Sequence, residues 1–317
     1  MREPVTTAAR PQPDDTAARR QPGDTADQPQ PGDTAARPHS GGPAARPRSE
    51  DPASRPRSAD TAARPEAARA DLAELALRLG DDALVLGQRL CQWIPRAPMI
   101  EEDLALSNIA LDLIGHARVL LSRSGELDGS GRDEDDLAFG RTEREFRNAL
   151  LVELPGEDFA VTIARQLVFA HYAVPFYERL AGCADAELAA FAARAAAEVA
   201  FHRRHAADWT LRLGLGTEES ARRMQAGLER IWPHAAELFE SDGVVQRLVE
   251  AGLHPPVDEV RAAWHEGVTA VLARAGLTEP APTWHATGGR AGLHTEAFGP
   301  LVAEMQSVRR QFPGGTW

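Results

Sequence analysis

The sequence contains no lysine, and all 35 of its basic residues are arginine. We read this as a mark of genome composition that carries no functional information. Cysteine is nearly absent as well. Cys91 and Cys183 lack the paired spacing of a metal-ligand set and sit within helical patterns, so each is expected to be a buried free thiol, as suits a cytosolic protein. Only 6% of residues are aromatic and alternating Val/Ile/Thr runs do not occur, which removes the signals of β-strands. No apolar run reaches the ~18 residues needed to span a bilayer. The N-terminus lacks the apolar core of a secretory signal.

What the chain does have divides unevenly. The first 66 positions are dominated by Pro, Arg, Ala, Asp and Thr, and one phrase recurs: DTAARRQPG from Asp15, DTADQPQPG from Asp24, DTAARPHSG from Asp33 and DTAARPEAA from Asp60. Such a segment cannot bury enough apolar surface to offset its ordering entropy. Residues 1–66 are therefore expected to be a disordered low-complexity tail, either simply solvated or weakly partner-binding. Its ten arginines balance its ten acidic residues, so the formal charge of −12 sits on residues 67–317. An acidic body argues against a nucleic-acid-binding face. About 250 residues suffice for one sizeable domain.

Nearly every segment after Ala67 has helical period, so the fold class is all-α. One helix is expected over Ala67–Trp93, ended by the IPRAP segment, and a second over Glu101–Arg123. An acidic loop, Gly125–Asp136, follows. Thr142 and Glu145 form a capping-box pattern for a short helix to Val152. Asp158 caps a helix to about Ala181, with Pro175 inside it, and Asp185 caps another that Gly214 ends. Later helices are expected from Thr217 to Glu240, over Gly243–Ala251 and over Asp258–Ala275, and a Gly-rich loop followed by a helix is expected over Thr283–Phe312. Long helices with short connections make an antiparallel four-helix bundle, with the additional C-terminal helices on its flank or end.

The stretch EEDLALSNIALDLIGHARVLLSR (Glu101–Arg123) is apolar around most of its circumference, which predicts a buried helix. Its polar exceptions Asn108, Asp112 and His116 are one turn apart and share a face. A carboxylate and an imidazole on an inner face raise the question of a di-iron site, which needs a Glu from each of two helices and a Glu-x-x-His from each of the other two. The first helix offers Asp81 or Asp82, the second Asp112 and His116, and the fourth Glu198, His202 and His205. The third offers no carboxylate between Asp158 and Glu178; its middle has Arg165, Gln166 and His171. The set is incomplete. Three states remain compatible with the spacing. In the first, Asp81, Asp112, His116, Glu198 and His202 are a degenerate, metal-free remnant whose members hydrogen-bond one another. In the others they hold one weakly bound metal or form a working site. Asp82 and His205 are expected on solvated helix faces.

Three stretches besides the second helix carry a resemblance: LRLGDDALVLGQRL (Leu77–Leu90), DDLAFGRTEREFRNALLVELPGEDFAVTIARQ (Asp135–Gln166) and TGGRAGLHTEAFGPLVAEMQ (Thr287–Gln306). Together they resemble the C-type structural component of ring-1,2-phenylacetyl-CoA epoxidases, which are bacterial multicomponent monooxygenases. The resemblance runs in order over residues 70–317. It implies a ferritin-like fold and a cytoplasmic, structural subunit with no catalytic residue and no metal or cofactor of its own. It also implies pairing with a homologous di-iron catalytic subunit, alongside other small subunits and a reductase that delivers NADPH-derived electrons. Phenylacetyl-CoA would then be met only through the complex.

Outside that frame, the loop Thr287–Glu296 precedes a helix that Thr295 is expected to cap. Arg290 and the loop amides could contact an anion such as a CoA phosphate, or a partner subunit. His294 and Glu296 could form an acid–base or structural pair. The tryptophans are expected mostly in the core, with Trp317 at an interface. Two alternatives to the structural subunit follow from these residues: a stand-alone di-metal oxygenase or oxidase, and an acyl-CoA-binding module without chemistry.

Overall fold

In the computed structural model, residues 58–315 are described, and every regular element among them is helical. The repeat-bearing stretch up to residue 57 and Trp317 lie outside the described residues. Four long helices build a ferritin-like bundle: α1 (Ser58–Cys91), α2 (Ile100–Asp128), α5 (Phe159–Leu180) and α6 (Ala186–Gly214). α1 pairs with α2, and α5 with α6, as two helical hairpins. Pro95, within a single 3₁₀ turn at Ile94–Arg96, makes the first reversal. α1 starts inside the stretch expected to be tail.

Two shorter helices, α3 (Glu134–Phe139) and α4 (Leu150–Glu153), bridge the hairpins. Five more follow: α7 (Glu218–Ile231), α8 (Gly243–Glu250), α9 (Val257–Ala275), α10 (Phe298–Met305) and α11 (Ser307–Gln311). α7 and α9 pack onto α5 and α8 onto α1. Wrapped by α6, α7 and α9, α5 has 19 of its 22 residues buried. Its start is fixed by the Asp158 carboxylate, which accepts the Val161 N–H at 2.9 Å, and α6 begins the same way on Asp185 and Leu188 at 2.8 Å.

Three stretches depart from the sequence expectation, each for a visible reason. The Thr142–Glu145 capping box exists but closes a single 3₁₀ turn rather than a helix. Beyond it the backbone is pulled straight, because the Asp81 and Asp82 carboxylates accept the N–H groups of Arg147 (2.8 Å) and Ala149 (2.7 Å). The helix expected from Thr217 to Glu240 stops at Ile231 and continues as two 3₁₀ turns around Pro233, which lacks the N–H an α-helix needs. Thr295 caps no helix; its N–H goes to Glu153 Oε1 at 2.6 Å, and α10 starts three residues later.

α2 and α5 are each long and apolar enough, by length and composition, to cross a membrane, although the sequence shows no unbroken apolar run. Both are bundle helices. The apolar window of α5 is 94% buried, whereas that of α2 is only 44% buried. The expectation that α2 is buried all round is thus corrected: it packs on α1 and, along one edge, on α6, and its remaining side faces outward.

Candidate functional site

Two polar systems organise the molecule. The first is a belt of buried carboxylates that fastens residues 141–153 and 289–297 to α1. Asp81, fully buried, receives Arg141 Nη1 at 2.9 Å and a second bond from Nη2. Arg141 also lies 4.1 Å over the Phe146 ring. Asp82 is gripped by both terminal nitrogens of Arg290, at 3.0 and 2.7 Å. Arg290 Nη1 donates further to the carbonyls of Arg78 and Arg147. Burial disfavours the Arg290 charge, but Asp82 more than offsets it and holds the guanidinium protonated above its ordinary range. Glu153 accepts from Asn148 (2.9 Å) and pairs with His294 Nδ1 (2.7 Å). Glu237 accepts the N–H groups of Leu150 (2.6 Å) and Gly289 (2.7 Å), and burial raises its pKa despite them.

This belt corrects several expectations. Arg290, whose side chain is only 15% exposed, is spent on Asp82, so it is not a free anion hook for a CoA phosphate. His294 pairs with Glu153, and Glu296 takes no part in that pair. Asp82 lies inside, not on a solvated face. Asp81 belongs to Arg141 and does not join Asp112, His116, Glu198 and His202.

Those four meet instead at a second system, the seam between α2 and α6. His116 Nε2 lies 2.5 Å from Glu198 Oε2, and His202 Nε2 lies 3.0 Å from Asp112 Oδ2. In both pairs the imidazole is buried and the carboxylate sits at the rim. Burial lowers the His202 pKa, against the pull of Asp112. A third pair, Glu102 with His205 at 2.7 Å, continues the seam with both side chains buried. His205 is therefore not solvated. Sequence reading misses Glu102; its signal is that α2 and α6 run antiparallel, which puts the start of one beside the end of the other.

The seam does not fit a di-iron centre. Each imidazole closes on one carboxylate across the groove, and Asp81 is committed elsewhere. α5 contributes the buried cation Arg165 rather than a carboxylate. Among the described residues, no three His, Cys, Asp or Glu side chains converge as a ligand set.

Beside the seam runs an apolar stripe. Ile100, Leu104, Leu111, Ile114 and Val119 of α2 are exposed, Leu104 by 62% and Leu111 by 65%. They fall along the outward side of one helix. Across the groove Phe201 of α6 is exposed and borders the rings of His202 and His205. Gly115 has open space in front of its Cα. Exposed apolar side chains gathered along one helix face make this the candidate interaction surface of the described residues. Of the tryptophans, Trp93, Trp209, Trp232 and Trp264 are core residues, while Trp284 is exposed.

Comparison with known proteins places this architecture. A family described as "Phenylacetic acid catabolic protein" matches residues 53–317. The chain belongs to that family. Within the phenylacetic acid catabolic proteins it is 46% identical over 246 residues to the C component of the 1,2-phenylacetyl-CoA epoxidase of Escherichia coli (strain K12). That match covers 78% of this chain and 99% of the relative. A role in phenylacetate catabolism follows from these relationships.

Proposed function

We propose that this chain is the non-catalytic structural subunit of a cytoplasmic phenylacetyl-CoA 1,2-epoxidase, and that it pairs with a homologous di-iron catalytic subunit through the α2/α6 face. The observation that carries the proposal is the apolar stripe beside a seam whose histidines and carboxylates engage one another in pairs. A catalytic di-iron bundle needs those carboxylates free to converge on metal. Here they serve to pin α6 to α2, which keeps the outer face of α2 straight and presentable. The iron, the NADPH-derived electrons and the reductase belong to the other subunits. Phenylacetyl-CoA is met only through the assembly.

A stand-alone di-metal oxygenase is disfavoured by Arg165 on α5 and by the pairwise seam. An acyl-CoA-binding module is disfavoured because Arg290, its best cation, is paired with Asp82.

The deciding experiment measures iron in this chain purified alone from iron-replete cells, and again after co-expression with the homologous di-iron catalytic subunit the proposal names. The expected result is substoichiometric iron alone and a co-eluting, iron-bearing pair. About two irons per lone chain would overturn the proposal.

A further inference from the structure

Arg165 is fully buried in the first half of α5, and among the described residues no carboxylate pairs with it. Its Nη1 donates to the Leu154 carbonyl. Among the described residues, nothing accepts from its Nε or Nη2. These two nitrogens form one edge of the guanidinium. The same edge of Arg247 grips the Asp71 carboxylate with two bonds of 2.7 Å, and that of Arg222 grips Glu219 with two of 2.8 Å. In this chain, then, an Nε/Nη2 fork holds a carboxylate at Arg247 and Arg222 and two backbone carbonyls at Arg89, and in each case it is filled by acceptors.

The surroundings repeat the pattern. Thr162 Oγ1 and Gln166 Nε2 are also buried without a hydrogen-bond partner. Thr162, three residues before Arg165, is about 60° from it around α5 and so borders its side, whereas Gln166 is about 100° round from Arg165 and shares a face with Thr162. The loop after α4 closes this side. Leu154 supplies the carbonyl, and Trp93 Nε1 donates to the Gly156 carbonyl at 2.9 Å. A Cβ on Gly156 would stand 2.3 Å from both Thr162 Oγ1 and Trp93 Nε1, so the loop sits directly on these groups. The charge acting on Arg165 from nearby is Arg89, also positive. Arg89 spends its own donors on the Glu153 and Ala297 carbonyls and on Gln92. Burial first, then Arg89, brings the Arg165 pKa down to about 9, so it stays charged at neutral pH. A buried cation without a counter-charge is expensive, and a charge-assisted, bidentate partner relieves the cost.

We propose that the Arg165 fork, with the Thr162 hydroxyl on the neighbouring turn, is a sealed site for one small monovalent anion, either a halide such as chloride or a planar oxyanion such as formate or bicarbonate. It is a structural ion site under the 154–156 loop, remote in function from the α2/α6 seam.

The test uses the full-length wild-type chain crystallised from bromide, together with thermal melts in chloride or formate at fixed ionic strength. An anomalous peak within hydrogen-bonding reach of Nε and Nη2 is expected. The wild-type melting temperature should rise with chloride or formate, and the more effective ion identifies the class. Arg165→Met should abolish that dependence, and Arg165→Lys should weaken it. Water alone at the fork, or an anion response equal in wild type and Arg165→Met, would overturn the proposal. Should neither variant fold, the bromide peak in the wild type decides.

Discussion

Asp82 and Arg290 stand 208 positions apart in the chain and meet at 2.7 Å in the interior. The pair holds the Gly-rich loop against α1 while the same carboxylate accepts the Ala149 N–H. Arg290→Ala would leave a buried carboxylate without its cation, and breaking one side of such a pair costs about 3–5 kcal/mol. Arg290→Lys should recover little of it, because one ammonium cannot replace a fork that also reaches two backbone carbonyls. Urea unfolding midpoints of the two variants check both expectations.

The α2 stripe predicts an opposite kind of variant. Leu111 is exposed, so Leu111→Glu should leave the helical circular dichroism and melting temperature of the lone chain nearly unchanged, within about 0.5 kcal/mol. Co-elution with the catalytic subunit should be lost. Unimpaired pairing would move the interface to another face.

Acid should destabilise the fold through its histidines. His171, His202, His234 and His254 all have pKa values lowered by burial, His171 to about 4. A histidine with a depressed folded pKa binds fewer protons when folded than when unfolded. Its contribution is therefore complete above the unfolded value near 6.5 and fades as pH falls toward the folded one. For His171 alone the span corresponds to roughly 3 kcal/mol. Glu237, whose pKa is raised, acts in the other direction as pH rises above its unfolded value. Melting temperatures should fall between about pH 7 and about pH 5, and His171→Leu should flatten that slope. A slope unchanged in His171→Leu would remove this residue from the account.

Gly292 predicts a steric failure. Its φ is +75°, and a Cβ would lie 2.2 Å from the Arg144 carbonyl oxygen. Gly292→Ala should cost more than the roughly 1–3 kcal/mol of backbone strain alone. The loss should show as faster amide exchange along residues 288–297.

Much of the architecture is legible locally. Asp158 and Asp185 mark the starts of α5 and α6 because an N-cap is a short-range device. The missing carboxylate of α5 is visible by inspection, as is the odd presence of Arg165. Two things are hidden. Composition cannot separate a core helix from an interface helix, so the outward stripe of α2 reads as burial. The arginine partners of Asp81 and Asp82 lie 60 and 208 residues downstream, and no periodicity reports a contact of that span. For the same reason the capping box at Thr142 reads as the start of a longer helix than the two aspartates allow.

The long reach of the Asp82 pair also sets a schedule for synthesis. α1 leaves the ribosome with Asp82 among apolar neighbours, and its counter-ion is translated 208 residues later. At typical elongation rates that interval is roughly 10–40 s. Through it the nascent chain carries an acid on its first helix whose cation has not yet been made, with only the Ala149 N–H available to it. A chain truncated before Arg290 would emerge with that charge still unanswered, and quality control would meet it as an open fold rather than a shortened one.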